Sequence, residues 1–193
     1  MIFYRNPRKG FVKTRLAATI GDDKALEVFM KLALHTREIT VPLSVDKMVL
    51  YSESIEDRDI WPSPDFQKAT QSGADLGERM HNAFASAFGM KYDAVCVIGT
   101  DSYDLTTEII EKAFGYLRSA DIVIGPAHDG GYYLLGMRHL YPELFLNKRW
   151  STDAVLNDTI KDIELLRLNY LKLEILNDVD NEDDLPEDWV YSQ

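Results

Sequence analysis

A basic loop near the start of the sequence contains the residue types that bind phosphate groups. It has one glycine, Gly10, and four cationic side chains, which are Arg8, Lys9, Lys13 and Arg15. Lysine supplies a point charge and arginine a planar fork of N–H donors, and both suit phosphate oxygens. A solvated basic turn explains the same composition equally well. The loop has neither the Gly-Lys-Ser/Thr ending of a P-loop nor the Gly-x-Gly-x-x-Gly fingerprint of dinucleotide-binding proteins.

Carboxylates that follow two predicted strands could bind a divalent cation. Asp101 comes shortly after the apolar residues 94–98, and Asp178 and Asp180 follow the predicted strand at residues 171–176. Mg²⁺ and Mn²⁺ prefer oxygen ligands and bridge to substrate phosphates. We therefore expect Asp101 to belong to a metal site. Asp178 and Asp180 either complete that site or are ordinary surface acids before a closing helix.

The remaining polar segments have simpler explanations. Asp104 is expected to cap the helix that follows it. Its spacing from Asp101 is Asp-x-x-Asp and not the Asp-x-Asp of aspartyl-phosphate phosphatases, which disfavours a phosphatase. Gly130 and Gly131 either form a plain turn or let a ligand approach the backbone. His128, which lies beside them, is expected to be solvated.

Bulk composition limits the classes of partner. The formal net charge is −11 over 193 residues, so attraction to nucleic acid or to an anionic membrane is not expected. No stretch approaches the roughly 18 apolar residues of a membrane span, and no signal peptide is evident. The single cysteine, Cys96, lies in an apolar stretch typical of a packed interior. These features predict one cytoplasmic domain over residues 1–193.

Predicted strands and helices alternate along the chain and place the candidate residues at strand ends. Patterning predicts a helix that begins at residues 22–23 and other helices at residues 75–88, 106–117, 152–166 and 181–189. It predicts a long connection with at most a short strand at residues 52–73. It predicts strands at residues 2–5, 47–51, 94–99, 121–125, 132–137 and 171–176. The alternation favours a mainly parallel sheet covered by helices on both faces. Ligands of such sheets bind beyond the carboxyl ends of the strands.

Six short motifs, taken in order, resemble a bacterial family of glycosyltransferase-like proteins with the A-type fold, the DUF2064 family. This family is similar to the guanylyltransferase that acts on phospholactate. The matching stretches cover nearly the whole chain. They are Pro7-x-x-Gly10-x-Val12-Lys13-Thr14-Arg15-Leu16, Asp75-Leu76-Gly77-Glu78-Arg79-Met80, Ile98-Gly99-Thr100-Asp101, Gly125-Pro126-x-x-Asp129-Gly130-Gly131-Tyr132-Tyr133, Trp150-Ser151-Thr152 and Asp178-Val179-Asp180.

The resemblance implies a three-layer α/β/α sandwich with a mainly parallel mixed sheet, of the nucleotide-diphospho-sugar transferase type. It implies that Lys13 and Arg15 face nucleotide phosphates and act in catalysis with Asp101. It also implies that Asp101 and Asp180 bind Mg²⁺ or Mn²⁺. The implied nucleotide-binding residues are Pro7, Gly10, Lys13, Arg15, Gly77, Arg79, Thr100, Gly130 and Gly131.

The function predicted from this resemblance is metal-dependent transfer from a nucleotide donor to an unknown small-molecule acceptor. The donor is an NTP in nucleotidyl transfer or a nucleotide-sugar in glycosyl transfer. Three positions depart from the family pattern: Arg5 replaces a common lysine, Tyr103 a proline, and Asn181 a threonine. The changes at Tyr103 and Asn181 motivate an alternative, which is a non-catalytic nucleotide-binding protein of the same fold.

Overall fold

The computed structural model describes residues 1–186 and Trp189, and its secondary structure begins with a strand that enters the basic loop. The strands are β1 (Ile2–Tyr4), β2 (Met48–Tyr51), β3 (Gln67–Thr70), β4 (Val95–Ile98), β5 (Ile122–Pro126), β6 (Tyr132–Met137) and β7 (Tyr170–Lys172). The α-helices are α1 (Thr14–Ile20), α2 (Asp22–Thr40), α3 (Leu76–Gly89), α4 (Thr107–Tyr116) and α5 (Val155–Leu165). Short 3₁₀ segments lie at Pro142–Phe145 and Glu182–Asp184.

The strands form a single sheet in the order β3-β2-β1-β4-β6-β5-β7. Strand β6 runs antiparallel to both of its neighbours, β4 and β5. All other neighbouring strands are parallel. The carboxyl ends of six strands therefore lie at one edge of the sheet, and the β5–β6 turn emerges at the same edge. The predicted mainly parallel mixed sheet is confirmed.

The sheet separates two apolar cores, which gives the three predicted layers. Along β4, Cys96 and Ile98 face a core that α2 and α4 cover. Val95 and Val97 face the opposite core, which α3 and α5 cover. This alternation follows from the two-residue period of a strand. Cys96 is packed inside as expected, and burial raises the pKa of its thiol to about 12.

Two helix starts differ from the prediction. Helix α4 is capped by Thr106, whose side chain accepts a hydrogen bond from the N–H of Ile109, so the expected cap at Asp104 is wrong. Helix α5 begins at Val155, three residues later than predicted, and the residues 151–154 before it form turns and a bend. Asp and Thr both suit a helix cap, and only the path of the chain decides which one serves.

The closing part of the chain is less regular than predicted. Strand β7 ends at Lys172, and beyond it Leu176 makes only an isolated bridge with Ala127. The predicted helix at residues 181–189 is a single 3₁₀ turn, Glu182–Asp184, within the described residues. Residues 187–188, which that prediction also covers, lie outside them. In the described part of the chain, none of the helices has the length and apolarity needed to cross a membrane.

Candidate functional site

Lys13 joins the carboxylates that follow strands β4 and β7. Its ammonium contacts the carboxylate of Asp101 and lies 3.5 Å from Oδ1 of Asp180. The Lys13 side chain is only 4% exposed, although the two carboxylates are 48% and 37% exposed. Nη1 of Arg15 lies 3.4 Å from Oδ2 of Asp180. Three distant segments of the chain thus meet at the carboxyl edge of the sheet.

The backbone of the basic loop is bent to bring Lys13 to this position. Lys13 has φ 47° and ψ 46°, which is the left-handed conformation, and it stands directly before helix α1. For a residue other than glycine this conformation costs about 1 kcal/mol, and such strain concentrates at functional sites. Earlier in the loop Gly10 has φ 78°, and the N–H of Phe11 donates to the carbonyl of Arg8 at 3.0 Å. The buried Leu16 then anchors α1 against α2.

Two hydrogen bonds, one between backbone groups and one from a serine hydroxyl, fix the segment that carries Asp180 against the loop that carries Asp101. The N–H of Val179 donates to the carbonyl of Asp101 at 2.9 Å. The hydroxyl of Ser102 donates to the carbonyl of Asn177 at 2.8 Å. The first bond joins two backbone groups, and the second joins a side chain to the backbone of the neighbouring segment. The separation of the two carboxylates is therefore set by backbone structure.

A third carboxylate, Asp184, closes the turn after Asp180. It accepts hydrogen bonds from the backbone N–H groups of Asp180 at 3.0 Å and Asn181 at 2.8 Å, and from Nδ2 of Asn177 at 3.0 Å. Burial opposes ionisation of Asp184, but these hydrogen bonds outweigh it and lower its pKa. Asp184 is thus a structural acid that stabilises this turn.

Negative charge accumulates around Lys13 beyond the two aspartates that it contacts. The pKa of Asp178 is raised to about 7, first by burial and then by the charges of Asp101, Asp129 and Asp180, while Lys13 opposes the shift. Such a rise is expected where like charges crowd a half-buried carboxyl. The site therefore has more carboxylates than cations, and a divalent cation with water and phosphate ligands fits this chemistry.

Among the described residues, no group of three or more His, Cys, Asp or Glu side chains is arranged to bind a metal. A cation held by Asp101 and Asp180 would thus take its other ligands from water or from a bound phosphate. This composition is typical of Mg²⁺ sites, which use one or two carboxylates together with substrate oxygens. The sequence had pointed to Asp101 and Asp180, whereas Asp129 was not among the candidates and comes close through the β5–β6 turn.

Packing within the protein explains the first glycine of that turn. Gly130 has φ 88°, and a Cβ atom on it would lie 2.2 Å from the carbonyl oxygen of Asp153. The N–H of Gly131 donates to Oδ1 of Asp129 at 2.8 Å, which stabilises the turn. His128 is exposed, as expected. A plain turn therefore accounts for Gly130, and nucleotide binding by the two glycines stays a prediction.

Gly77 and Arg79 also have partners within the protein. A Cβ atom on Gly77 would lie 2.1 Å from Nε1 of Trp150, so the indole ring covers this turn of α3. Nε of Arg79 donates to the carbonyl of Gly73 at 3.1 Å. Trp150 thus joins the start of α3 to the segment that leads into α5. Nucleotide binding by Gly77 and Arg79 stays a prediction.

Two other predicted residues, Pro7 and Thr100, lie in the loops at the ends of β1 and β4. Pro7 is half-buried, and Thr100 is buried directly before Asp101. The exposed cations Arg8 and Lys9 form surface ion pairs with Glu53 at 2.8 Å and Asp23 at 2.7 Å respectively. For Arg8 and Lys9 the solvated-turn interpretation is sufficient.

Asn6 anchors the basic loop and was not among the predicted site residues. Its side-chain amide donates to the carbonyl of Ser54 at 2.8 Å and to Oε1 of Glu56 at 2.9 Å. Its side-chain carbonyl accepts from the N–H of Glu53 at 3.0 Å. Asn6 therefore fastens the loop to the segment after β2. Its position directly after a buried strand is the one feature of the sequence that could have identified Asn6 as a site residue.

The departures at Tyr103 and Asn181 leave the charged residues in place. The ring of Tyr103 packs 4.9 Å from that of His35 and 4.7 Å from that of Trp189, measured between centroids. Asn181 forms the turn that Asp184 caps. Both residues thus serve packing and capping. The substitutions that motivated a non-catalytic alternative do not alter the contacts of Lys13.

Comparison with known proteins places the fold among nucleotide-diphospho-sugar transferases. Residues 36–152 match the family described as "Uncharacterized protein conserved in bacteria (DUF2064)". This stretch contains Asp101, whereas Lys13, Arg15 and Asp180 lie outside it. No curated protein matches the chain in sequence.

Solved structures extend the similarity over the rest of the chain. A protein of Desulfovibrio desulfuricans G20, provisionally assigned as a nucleotide-diphospho-sugar transferase, is 36% identical with a TM-score of 0.89, covering 95% of this chain and 82% of its own. The inositol-1-phosphate CTP transferase of T. maritima is 13% identical with a TM-score of 0.60 and coverages of 97% and 91%. Rv0371C of Mycobacterium tuberculosis H37Rv, in complex with manganese, is 12% identical with a TM-score of 0.50 and coverages of 95% and 93%.

Proposed function

Because this chain belongs to the bacterial DUF2064 family, we propose that it is a transferase that uses a nucleotide donor together with Mg²⁺ or Mn²⁺. The observation that carries the proposal is the contact of Lys13 with Asp101 and Asp180 at the carboxyl edge of the sheet. It unites a phosphate-binding cation with two oxygen donors for a metal. The provisional assignment of the 36% identical relative supports the same class of donor.

The loop after β1 would bind the phosphates of the donor. Lys13 offers a point charge, and Arg15 offers a guanidinium that is 75% exposed and can turn toward a ligand. Pro7 and Gly10 shape the loop that carries them, and Thr100 positions the backbone before Asp101. In this arrangement the cations stabilise the charge that develops on the leaving phosphate.

Asp101 and Asp180 would hold the metal, whose contribution is to neutralise phosphate charge as a Lewis acid. The manganese complex of the fold relative Rv0371C makes Mn²⁺ the first ion to test. Lys13 lies against both aspartates, so the metal and the lysine would act on adjoining phosphate oxygens. The acceptor is a small molecule, and neither nucleic acid nor a membrane is expected at a surface of net charge −11.

Two reactions are consistent with this site. In nucleotidyl transfer, an oxygen of an acceptor phosphate attacks the α-phosphorus of an NTP, the bond to the bridging oxygen breaks, and pyrophosphate leaves. In glycosyl transfer, an acceptor oxygen attacks the anomeric carbon of a nucleotide-sugar, the bond from that carbon to the phosphate oxygen breaks, and a nucleoside diphosphate leaves. The acceptor loses its proton to solvent when a hydroxyl attacks. Lys13 and Arg15 stabilise the leaving group in both cases.

A substrate panel separates these reactions. The protein is incubated with Mn²⁺, a mixture of phosphorylated and hydroxylated metabolites, and either each NTP or each common nucleotide-sugar. Release of pyrophosphate identifies nucleotidyl transfer, and release of nucleoside diphosphate identifies glycosyl transfer. Asp101→Asn should lower the rate by about 10²–10³. Asp104→Asn, which removes an exposed carboxylate three residues away, is the matched control and should retain activity.

Binding measurements cover the case in which the acceptor is missing from the panel. Isothermal titration with each NTP and Mn²⁺ should show binding by wild type and by Asp104→Asn, and weaker binding by Asp101→Ala. If Asp101→Ala binds the nucleotide as tightly as wild type when Mn²⁺ is present, the assignment of the metal to Asp101 is wrong. Release of pyrophosphate or nucleoside diphosphate with any member of the substrate panel would exclude the non-catalytic alternative.

A further inference from the structure

The ammonium of Lys13 occupies the space between the two carboxylates that are proposed to hold the metal. It contacts Asp101 and lies 3.5 Å from Asp180, and Arg15 approaches Asp180 from the other side. Within these four side chains two cations balance two carboxylates, while Asp129 and Asp178 add further acidic groups nearby. The left-handed backbone of Lys13 and its nearly complete burial hold the ammonium there.

We infer that Lys13 occupies the cation position of this site until a metal–polyphosphate complex arrives, so that the site takes a divalent metal with its nucleotide and excludes the free ion. The inference rests on the proposed function, because it assumes that Asp101 and Asp180 are the metal ligands. It goes further by stating the chemical form in which the metal enters and by giving Lys13 a second role before the phosphates bind.

Replacement of the Lys13 ammonium by a free divalent ion is unfavourable at this position. A divalent ion that approaches both aspartates must displace the ammonium, because like charges a few ångströms apart repel strongly in a partly desolvated site. The Lys13 side chain is 4% exposed, so its ammonium has little contact with water where it stands. A displaced ammonium would lose its acceptors and would still lie close to the metal. Displacing the ammonium of Lys13 therefore offsets most of the binding free energy that the metal ion gains from the two aspartates.

A polyphosphate removes this obstacle. Its oxygens offer Lys13 new acceptors at the point where the ammonium leaves the aspartates, and they supply several of the ligands of the metal. Nucleotide and metal should therefore increase each other's affinity. Thermodynamic linkage requires that this effect be reciprocal. Removal of the Lys13 charge should abolish much of the coupling by raising the affinity for the free ion.

Mn²⁺ binding to nucleotide-free protein tests the inference without an activity measurement. The amplitude of the free Mn²⁺ signal in electron paramagnetic resonance is recorded during titration of wild type, Lys13→Met and Lys9→Met. Lys13→Met should bind free Mn²⁺ roughly tenfold or more tightly than wild type, since the competing charge is gone. Lys9→Met removes the same charge from the same loop, where it pairs only with Asp23 among the described residues, and should match wild type.

A second variant guards against misfolding at the bent backbone. Asn tolerates the left-handed conformation well, so Lys13→Asn should retain the fold and show the same gain in Mn²⁺ affinity. Circular dichroism checks that both variants are folded. If folded Lys13→Met and Lys13→Asn bind free Mn²⁺ no more tightly than wild type, the inference is overturned.

A parallel titration in the presence of each NTP separates this outcome from failure of the proposed function. Equal Mn²⁺ affinity of wild type and variants without nucleotide, together with NTP-dependent Mn²⁺ binding by wild type, overturns the inference alone. If wild type and Asp101→Asn take up Mn²⁺ equally in the presence of every NTP, and the Lys13 variants gain no affinity, both the metal site and the inference fail. A gain in the Lys13 variants that Asp101→Asn abolishes supports both.

Discussion

Replacement of Gly77 by alanine tests whether this glycine serves packing or ligand binding. Gly77 lies in the first turn of α3 and belongs to one of the motifs from which a nucleotide-binding role was predicted. The added Cβ atom would lie 2.1 Å from Nε1 and 2.4 Å from Cε2 of Trp150. Real Cβ atoms do not approach ring atoms so closely. The indole would therefore have to move away from α3.

Two opposing terms determine the expected loss of stability. Alanine favours a helix over glycine by about 0.5–1 kcal/mol, whereas overpacking of a well-filled contact costs about 1–3 kcal/mol. We expect a net loss of about 1–2 kcal/mol in the free energy of unfolding. In a protein of this length the corresponding fall in Tm is roughly 2–8 °C.

Urea unfolding monitored by tryptophan fluorescence measures this change. Gly115→Ala is the matched control, because Gly115 lies in helix α4 and an added Cβ atom there meets no atom within 4 Å. That variant should be stabilised by about 0.5–1 kcal/mol. In a Trp150→Ala background, Gly77→Ala should no longer destabilise, since the contact is absent.

The opposite pattern would refute the packing explanation. If Gly77→Ala is as stable as Gly115→Ala, Trp150 does not constrain residue 77. If Gly77→Ala is also folded and stable but loses nucleotide binding, Gly77 contacts the ligand and the prediction from the motif is correct.

Two further predictions concern buried charge. The pKa of Asp178 is raised to about 7, so between about pH 4 and pH 7 the native state keeps a proton that the unfolded chain releases. The contribution of Asp178 to the free energy of unfolding is therefore complete at low pH and is lost as the pH rises through 7. In EDTA, Asp178→Asn should therefore lose less stability than wild type between pH 5 and pH 8 in urea unfolding, and parallel curves would contradict the assignment. Lys148, whose side chain is 2% exposed, contacts the carboxylate of Asp162, so Asp162→Ala should lower the free energy of unfolding by about 2–3 kcal/mol by leaving a buried charge unpaired. Asp158→Ala, which breaks the exposed ion pair with Lys161, should change the free energy of unfolding by less than about 0.5 kcal/mol. Equal effects of the two variants in thermal unfolding would show that burial of Lys148 does not strengthen its ion pair.

The strands and most helices were predictable because their signals are local. The run Val95–Ile98 is buried at every position, and such a run marks a central strand in the sequence itself. The general position of the site followed from the fold class, since polar residues after parallel strands share one edge. Asp101 and Lys13 could be placed at that edge before any coordinates were known.

Other features depend on contacts that the sequence does not display. Helix α1 was missed because it has only seven residues and begins after a left-handed lysine, Lys13, which local propensity disfavours. The C-terminal turn was predicted as a helix because its acids suit a first helical turn, but the carboxylate of Asp184 folds back onto the backbone of Asp180. The contact of Gly77 with Trp150 joins residues far apart in sequence, so a motif alone could not distinguish packing from ligand binding.

The contact between Arg15 and Asp180 joins residues that are 165 positions apart, and this separation has a consequence for synthesis on the ribosome. At about 5–20 residues per second, translation adds Asp180 roughly 10–30 s after Arg15. During that interval Arg15 lacks the acid that it contacts in the folded protein. A ligand that needs both sides of the site cannot bind in this period and so cannot stabilise the early part of the chain. The binding energy of such a ligand stabilises only those chains in which β7 has already paired with β5 as the outermost strand of the sheet.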